Sequence, residues 1–204
     1  VADYGNIGAT EEALALLAQA EAAGQAYASP LVKLYAGYYA LQRGDRSAAG
    51  RFFAQAAALP TDYCFPFRHE ELKMLAAATE LRPADANLWY YLGNLCYFRE
   101  QRERGIAAWE KAVALNPAHG LALRNLGFAY GRIPEKRELA MARYGAAIKA
   151  DPQNVAPVLE QDKLAEKMGR DAAQRLAFLE AQMATVQKSD PAILRLAYLY
   201  NETG

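Results

Sequence analysis

The chain has 204 residues, 53% of them hydrophobic, and its 23 basic and 23 acidic residues cancel. That is enough apolar material for a continuous core, and the balanced charge excludes a polyanion as the default partner: neither nucleic acid nor an anionic membrane surface is expected. The longest apolar-rich runs, 13–18 and 54–59, fall far short of the ~20 residues that span a bilayer. The first residues carry no basic segment followed by an apolar one, which favours a cytoplasmic protein, with Val1 read as a processing boundary of a longer chain. Cys64 and Cys96 read as core or surface residues, not as a disulfide.

In chain order, Ala13, Leu17 and Ala20 have the small-large-small pattern of a packed helix, and Gly37, Ala49, Phe53 and Ala56 predict a helix pair, with breakers at Gly24 and Gly44. Pro60 to Phe67 then interrupts the pattern with two prolines and three aromatics. An ordered non-helical or one-turn connector is expected there, packed by Tyr63, Phe65 and Phe67. Leu75, Ala78, Leu81 and Pro83 resume the pattern as a second-type helix whose first helix is missing.

Trp89, Leu92, Gly93 and Cys96 share one helical face, and Gly105, Trp109, Ala112 and Pro117 supply the helix that packs on it and its stop. Small residues at 93, 105 and 112 let two backbones approach while Trp109 fills the volume beside them. Leu123, Leu126 and Gly127 repeat Trp89, Leu92 and Gly93 after 34 residues. Tyr130, Ala140, Tyr144, Ala147 and Pro152 complete that unit, with one residue inserted in the turn around Pro134. Phe178 and Ala181 mark a degenerate fourth pair in which Asp162 takes the place of the small residue. Pro191 opens a last helix whose inner stripe is expected to be Leu194, Ala197, Tyr198 and Asn201.

A fixed period of this length, with this order of large, small and aromatic residues, resembles the tetratricopeptide repeat family, with Cys96 and Gly105 as departures from its usual residues. The resemblance implies an all-α, right-handed superhelix (α-solenoid) of about eleven helices in antiparallel pairs, a single domain over 1–204 with one irregular connector near 60–67. The order Tyr63 to Arg68, Tyr90 to Leu95, Trp109 to Lys111 and Arg124 to Gly127 is more specific. It resembles the repeat region of bacterial proteins that carry an upstream β-sandwich domain of unknown function.

No catalytic or metal-binding group is expected. His69 and His119 have no second ligand at metal spacing and read as solvated or capping residues. Ser29, Ser47 and Ser189 precede predicted helices and read as N-caps, and no glycine run suits a phosphate. The charge run 99–104 falls on a turn and reads as solvated. No cofactor is expected.

The feature above background is an aromatic face on the first helices. Tyr90, Tyr91, Asn94, Tyr97 and Phe98 lie off the expected core stripe, with Tyr35 and Tyr38 as their counterparts before and Arg124, Asn125 and Phe128 after. In a superhelix of the family's kind these residues, with Arg68 as a possible addition, would line the concave side. The leading reading is a non-enzymatic scaffold that takes a protein or peptide segment there, including an upstream domain of its own polypeptide. The alternatives are packing of the same tyrosines between units, an accessory carbohydrate-contacting region of an enzyme, and a purely structural or oligomerisation module. The oligomeric state is not readable.

Overall fold

The computed structural model describes residues 10–22, 29–61 and 64–204. The chain is all-α, with twelve α-helices and no strand among the described residues. It forms two compact units, residues 1–116 and 117–204. The first holds α1 (Thr10–Ala22), α2 (Pro30–Gln42), α3 (Arg46–Ala58), α4 (Glu70–Leu81), α5 (Ala86–Phe98) and α6 (Arg102–Leu115). The second holds α7 (Gly120–Gly131), α8 (Arg137–Ala150), α9 (Val155–Lys167), α10 (Ala172–Ala181), the one-turn α11 (Met183–Val186) and α12 (Asp190–Thr203). The inserted residue near Pro134 is absorbed by a 3₁₀ turn, Pro134–Lys136. No described helix is long and apolar enough to cross a membrane.

The closest helix pairs are α2 with α3, α5 with α6 and α7 with α8, and each is built the same way. The ring of Phe53 lies on Gly37, that of Trp109 on Gly93 and that of Tyr144 on Gly127. A Cβ at Gly37 would meet Phe53 at 2.5 Å and one at Gly127 would meet Tyr144 at 2.7 Å, so only a bare backbone admits the ring. The three rings are accordingly buried, at 0%, 3% and 3% exposure. Between helices, Gly44 and Gly169 turn the chain at φ +82° and +71°, where a side chain would be strained.

Several expectations need correction. Phe65 and Phe67 do not pack the connector: they are 65% and 56% exposed, while Cys64 and Pro66 between them are buried, as alternation along an extended segment requires. Tyr63, Gly24 and the side chain of Ala20 lie outside the described residues. Ser47 falls inside α3, whose cap is Asp45, accepting from the Ala48 N–H at 2.8 Å. Ser29 does cap α2, accepting from Leu31, whereas Ser189 stands at the cap position of α12 without a side-chain bond. In α12 the inward stripe is Ala192, Leu196 and Leu199, which join the core of Ile148, Val158, Leu179 and Val186; Leu194, Ala197, Tyr198 and Asn201 face outward.

Candidate functional site

The aromatic face divides by burial. α5 has neighbours on several sides, α4 and α3 as well as α6, so its second face is covered too. Tyr90 and Tyr91, 5% and 0% exposed, are core residues and offer no area to a ligand, while Trp89, expected inside, is half-buried with its indole N–H donated to the Pro83 carbonyl at 2.9 Å. This is the packing alternative, realised at two of the candidate positions. The signal for it was the aromatic content itself, since a helix apolar all round is a buried helix. Leu88, Leu92, Leu95 and Cys96 are buried beside them.

Tyr35, Tyr38, Asn94 and Tyr97 remain half-buried. Asn94 accepts the Trp109 indole N–H at 2.9 Å, and the Tyr97 ring lies 5.0 Å from that of Trp109, so both serve the α5–α6 pair. Tyr35 stacks on Tyr39 at 6.1 Å, and Tyr38 is tilted against the same ring.

The connector meets this face through a residue that the spacing arguments passed over. Glu71, 2% exposed, accepts the Tyr35 hydroxyl at 2.9 Å through one carboxylate oxygen and the N–H groups of Phe67 and Arg68 at 2.7 and 2.9 Å through the other. A buried carboxylate needs such donors, and here they tie the end of the connector to the first turn of α4, bringing Tyr35 and Arg68 together. Burial, followed by the Glu71 charge and its hydrogen bond, holds the Tyr35 phenol far above its ordinary range. Burial also pushes the Cys64 thiol up to about 11, which leaves it a protonated, unreactive packing residue. Phe67 and Arg68 stand on the outer side of this anchor, the guanidinium 5.7 Å from the ring centre and 3.6 Å from Glu70.

In the second unit Arg124 forks onto Glu160 of α9 with bonds of 3.0 and 3.2 Å from Nε and 2.5 Å from Nη2. A clamp for a peptide carboxylate would first have to displace that partner. Burial raises the Tyr144 phenol, with the nearby Glu160 carboxylate adding to the effect. Asn125 is half-buried, and Phe128 is 44% exposed with the Arg132 guanidinium 5.4 Å from its ring centre. The two histidines behave as capping and solvated groups: buried His119 accepts the Ala122 N–H at 3.3 Å through Nδ1, its pKa lowered by burial, and His69 is exposed. Both cysteines are free and buried, and no described group of His, Cys, Asp and Glu side chains is arranged to hold a metal ion.

No family model matches the chain, and no curated protein matches it. Solved structures do. A crystal structure of MamA superposes with a TM-score of 0.55 at 16% identity, covering 91% of this chain and 94% of that one. A second, of the MamA protein, gives 0.53 at 17% identity over 78% and 92%. The MamA RS-1 ArsTM double mutant gives 0.53 at 19% identity over 92% and 91%. At these identities the likeness establishes the fold, a helical repeat of the tetratricopeptide type.

Proposed function

We propose that this chain is a non-enzymatic interaction scaffold that holds a protein or peptide segment against an aromatic surface of its first unit. The observation that carries the reading is the pair Phe65 and Phe67, exposed on a connector that Glu71 fixes in place. Large apolar side chains exposed on an anchored backbone contribute apolar area to a partner, which is the character of an interaction hot spot. Arg68 and the half-buried Tyr35 and Tyr38 extend that surface with polar groups that can orient a peptide backbone. Asn94 and Tyr97 in the same unit are assigned supporting contacts. The MamA-like fold is compatible with such a role. The connector motif, which resembles that of proteins with an upstream β-sandwich domain, makes a preceding domain of the same polypeptide the first partner to try.

The test is binding of that domain, or of a displayed peptide library, to the Phe65→Ser/Phe67→Ser double variant. Exposed positions can be changed without unfolding the chain, so the circular dichroism should be unaltered while affinity falls by at least ~10-fold, the loss of roughly one hot-spot residue. Full affinity in the double variant would sink the reading. Tyr91→Ala is no test of it, because that ring is in the core.

A further inference from the structure

The fourth helix pair, α9 with α10, loses the glycine of the repeat. Asp162 stands where Gly37, Gly93 and Gly127 stand in the other pairs, and it is wholly buried. Its carboxylate is occupied by two guanidinium groups, Arg175 of α10 at 2.9 Å and, at the other oxygen, Arg195 of α12. Together with the apolar stripe Ala192, Leu196 and Leu199, that ion pair fixes one side of α12 to the second unit. The other side follows the pattern of a first helix. Ile193, Leu196, Ala197 and Tyr200 repeat the spacing of Leu123, Leu126, Gly127 and Tyr130 after 70 residues. In α7 these positions are buried, with the Tyr144 ring of α8 laid on Gly127 and the other three at most 1% exposed. In α12, Ile193 and Tyr200 are 43% and 46% exposed, and Ala197 is exposed with them.

Leu194 and Tyr198, 71% and 50% exposed, adjoin this stripe, so four of the ten large apolar side chains exposed among the described residues lie on one helix. A helix side that stays in water is ordinarily polar, and an apolar one marks an interaction site. The phenol hydroxyls are already used, Tyr198 donating to Glu202 at 3.0 Å and Tyr200 to Glu180 of α10 at 2.7 Å, which leaves ring surface for a partner.

The molecule itself shows what covers such a stripe. Phe53 between Ala49 and Ala56, Trp109 between Gly105 and Ala112, and Tyr144 between Ala140 and Ala147 each lie on the small residue of a first helix, with small residues four before and three after the ring. Ala197 is the next smallest choice after glycine, and a docked helix, tied by no short turn, can stand back the ~1 Å that a methyl group needs. The rim adds a charge preference. Asp190, Glu180 and Glu202 are exposed around the face, whereas Arg195, the cation of α12, is turned inward to Asp162 and Glu166, and Lys188 is held at Gln153. A second copy fits poorly: its three ring stripes are buried, and its own α12 would bring Glu180 and Glu202 against their like.

We propose that the outer side of α12 is a second docking site, and that its occupant is a basic amphipathic helix of another polypeptide, carrying one aromatic residue with small residues four before and three after it. The ring lies on Ala197 between Ile193 and Tyr200, and the basic residues meet Asp190, Glu180 and Glu202. None of these residues belongs to the aromatic surface of the first unit, so the two sites stand or fall separately.

The probe is a fluorescein-labelled, C-amidated peptide with the sequence of α8, residues 137–150, which has the ring, both small residues, and Arg137, Arg143 and Lys149 against Glu138. Titrated with the whole chain and followed by fluorescence anisotropy, it should bind saturably at about 100 µM, weakly because a peptide of this length must first be ordered as a helix. Tyr144→Ala in the peptide should weaken binding by ~10-fold or more, the loss of one hot-spot ring. In the protein, Ala197→Gln, which puts a longer neutral side chain where the ring lies, should have a similar effect, and Leu194→Ser a smaller one; both positions are exposed, so the fold stays intact. Phe65→Ser should leave binding unchanged. The proposal is overturned by an absence of saturation up to millimolar protein, by a ringless peptide that binds as well, or by undiminished affinity in Ala197→Gln. It is also overturned if sedimentation shows the chain dimerising through this face, with Ala197→Gln restoring the monomer.

Discussion

The regular helix pairs and the places where the repeat breaks are stabilised by opposite chemistry. In α2–α3, α5–α6 and α7–α8 a ring lies on a bare glycine and the fit is steric, with one neutral hydrogen bond added in α5–α6, from Trp109 to Asn94. Where a helix is missing, Glu71 holds the connector; where the glycine is missing, Asp162 holds α9, α10 and α12 together. These are the only buried acids among the described residues. A regular repeat can propagate by shape alone, because each ring meets the same gap. A departure leaves backbone donors or guanidinium groups unmatched, and a buried carboxylate is the compact group that satisfies several of them at once. Such joins are specific and brittle, since an acid cannot be removed without stranding what it paired.

Breaking the Asp162 join should therefore have the largest effect. Asp162→Ala leaves Arg175, 6% exposed, without its buried partner, and a cost of about 3–5 kcal/mol in urea unfolding is expected. The comparison sharpens if the whole cluster is replaced. Asp162→Gly with Arg175→Leu and Arg195→Leu restores the glycine and removes the cations, and it should recover most of the loss, because well-packed apolar groups replace buried ion pairs at little net cost. A triple variant no more stable than the single one would mean that charge, and not shape, specifies this pair.

A smaller loss is expected in the regular region. Gly93→Ala would drive a methyl group into the Trp109 ring, and overpacking of this kind costs about 1–3 kcal/mol, offset by up to ~1 kcal/mol from the better helix propensity of alanine. A stabilised Gly93→Ala protein would show that the ring has room to move and that the pairs are less tightly matched than their geometry implies.

These two regions also mark what the sequence makes legible. The glycine–ring pairs are readable because sterics act at fixed spacing: Gly37 with Phe53 and Gly93 with Trp109 recur at one interval, and the 3₁₀ turn at Pro134–Lys136 accounts for the longer one between Gly127 and Tyr144. Asp162 is visible as an anomaly, but its partners are not, since Arg175 and Arg195 lie 13 and 33 residues away at no repeat position. Glu71 fails for the same reason; its pairing with Tyr35 spans 36 residues and depends on the fold of an irregular segment. The candidate face was legible as aromatic and illegible as exposed or buried. Periodicity locates a face, whereas the number of neighbours decides whether Tyr90 and Tyr91 see water, and α5 has more of them than a single pair would supply.

The smallest expected effect separates the two regions by pH. His119 opens the regular helix α7 and is held neutral by burial, with a pKa below its ordinary 6.5. A depressed base binds protons more readily when unfolded, so its contribution to stability is complete above about pH 6.5 and is lost as pH falls through that value toward the folded one. Glu166, exposed beside Asp162, is depressed as well, chiefly by its hydrogen bond from Arg195, and its contribution is lost only as pH falls below the ordinary 4.5. The melting temperature of the native chain should therefore decline first through the imidazole window, between about pH 7 and pH 5.5. His119→Asn, which keeps a capping acceptor without the titrating ring, should be flat there and decline only in the carboxylate window. Parallel slopes for the two proteins between pH 7 and 5.5 would mean that the α7 cap does not titrate in that window and that its burial costs the folded chain nothing there.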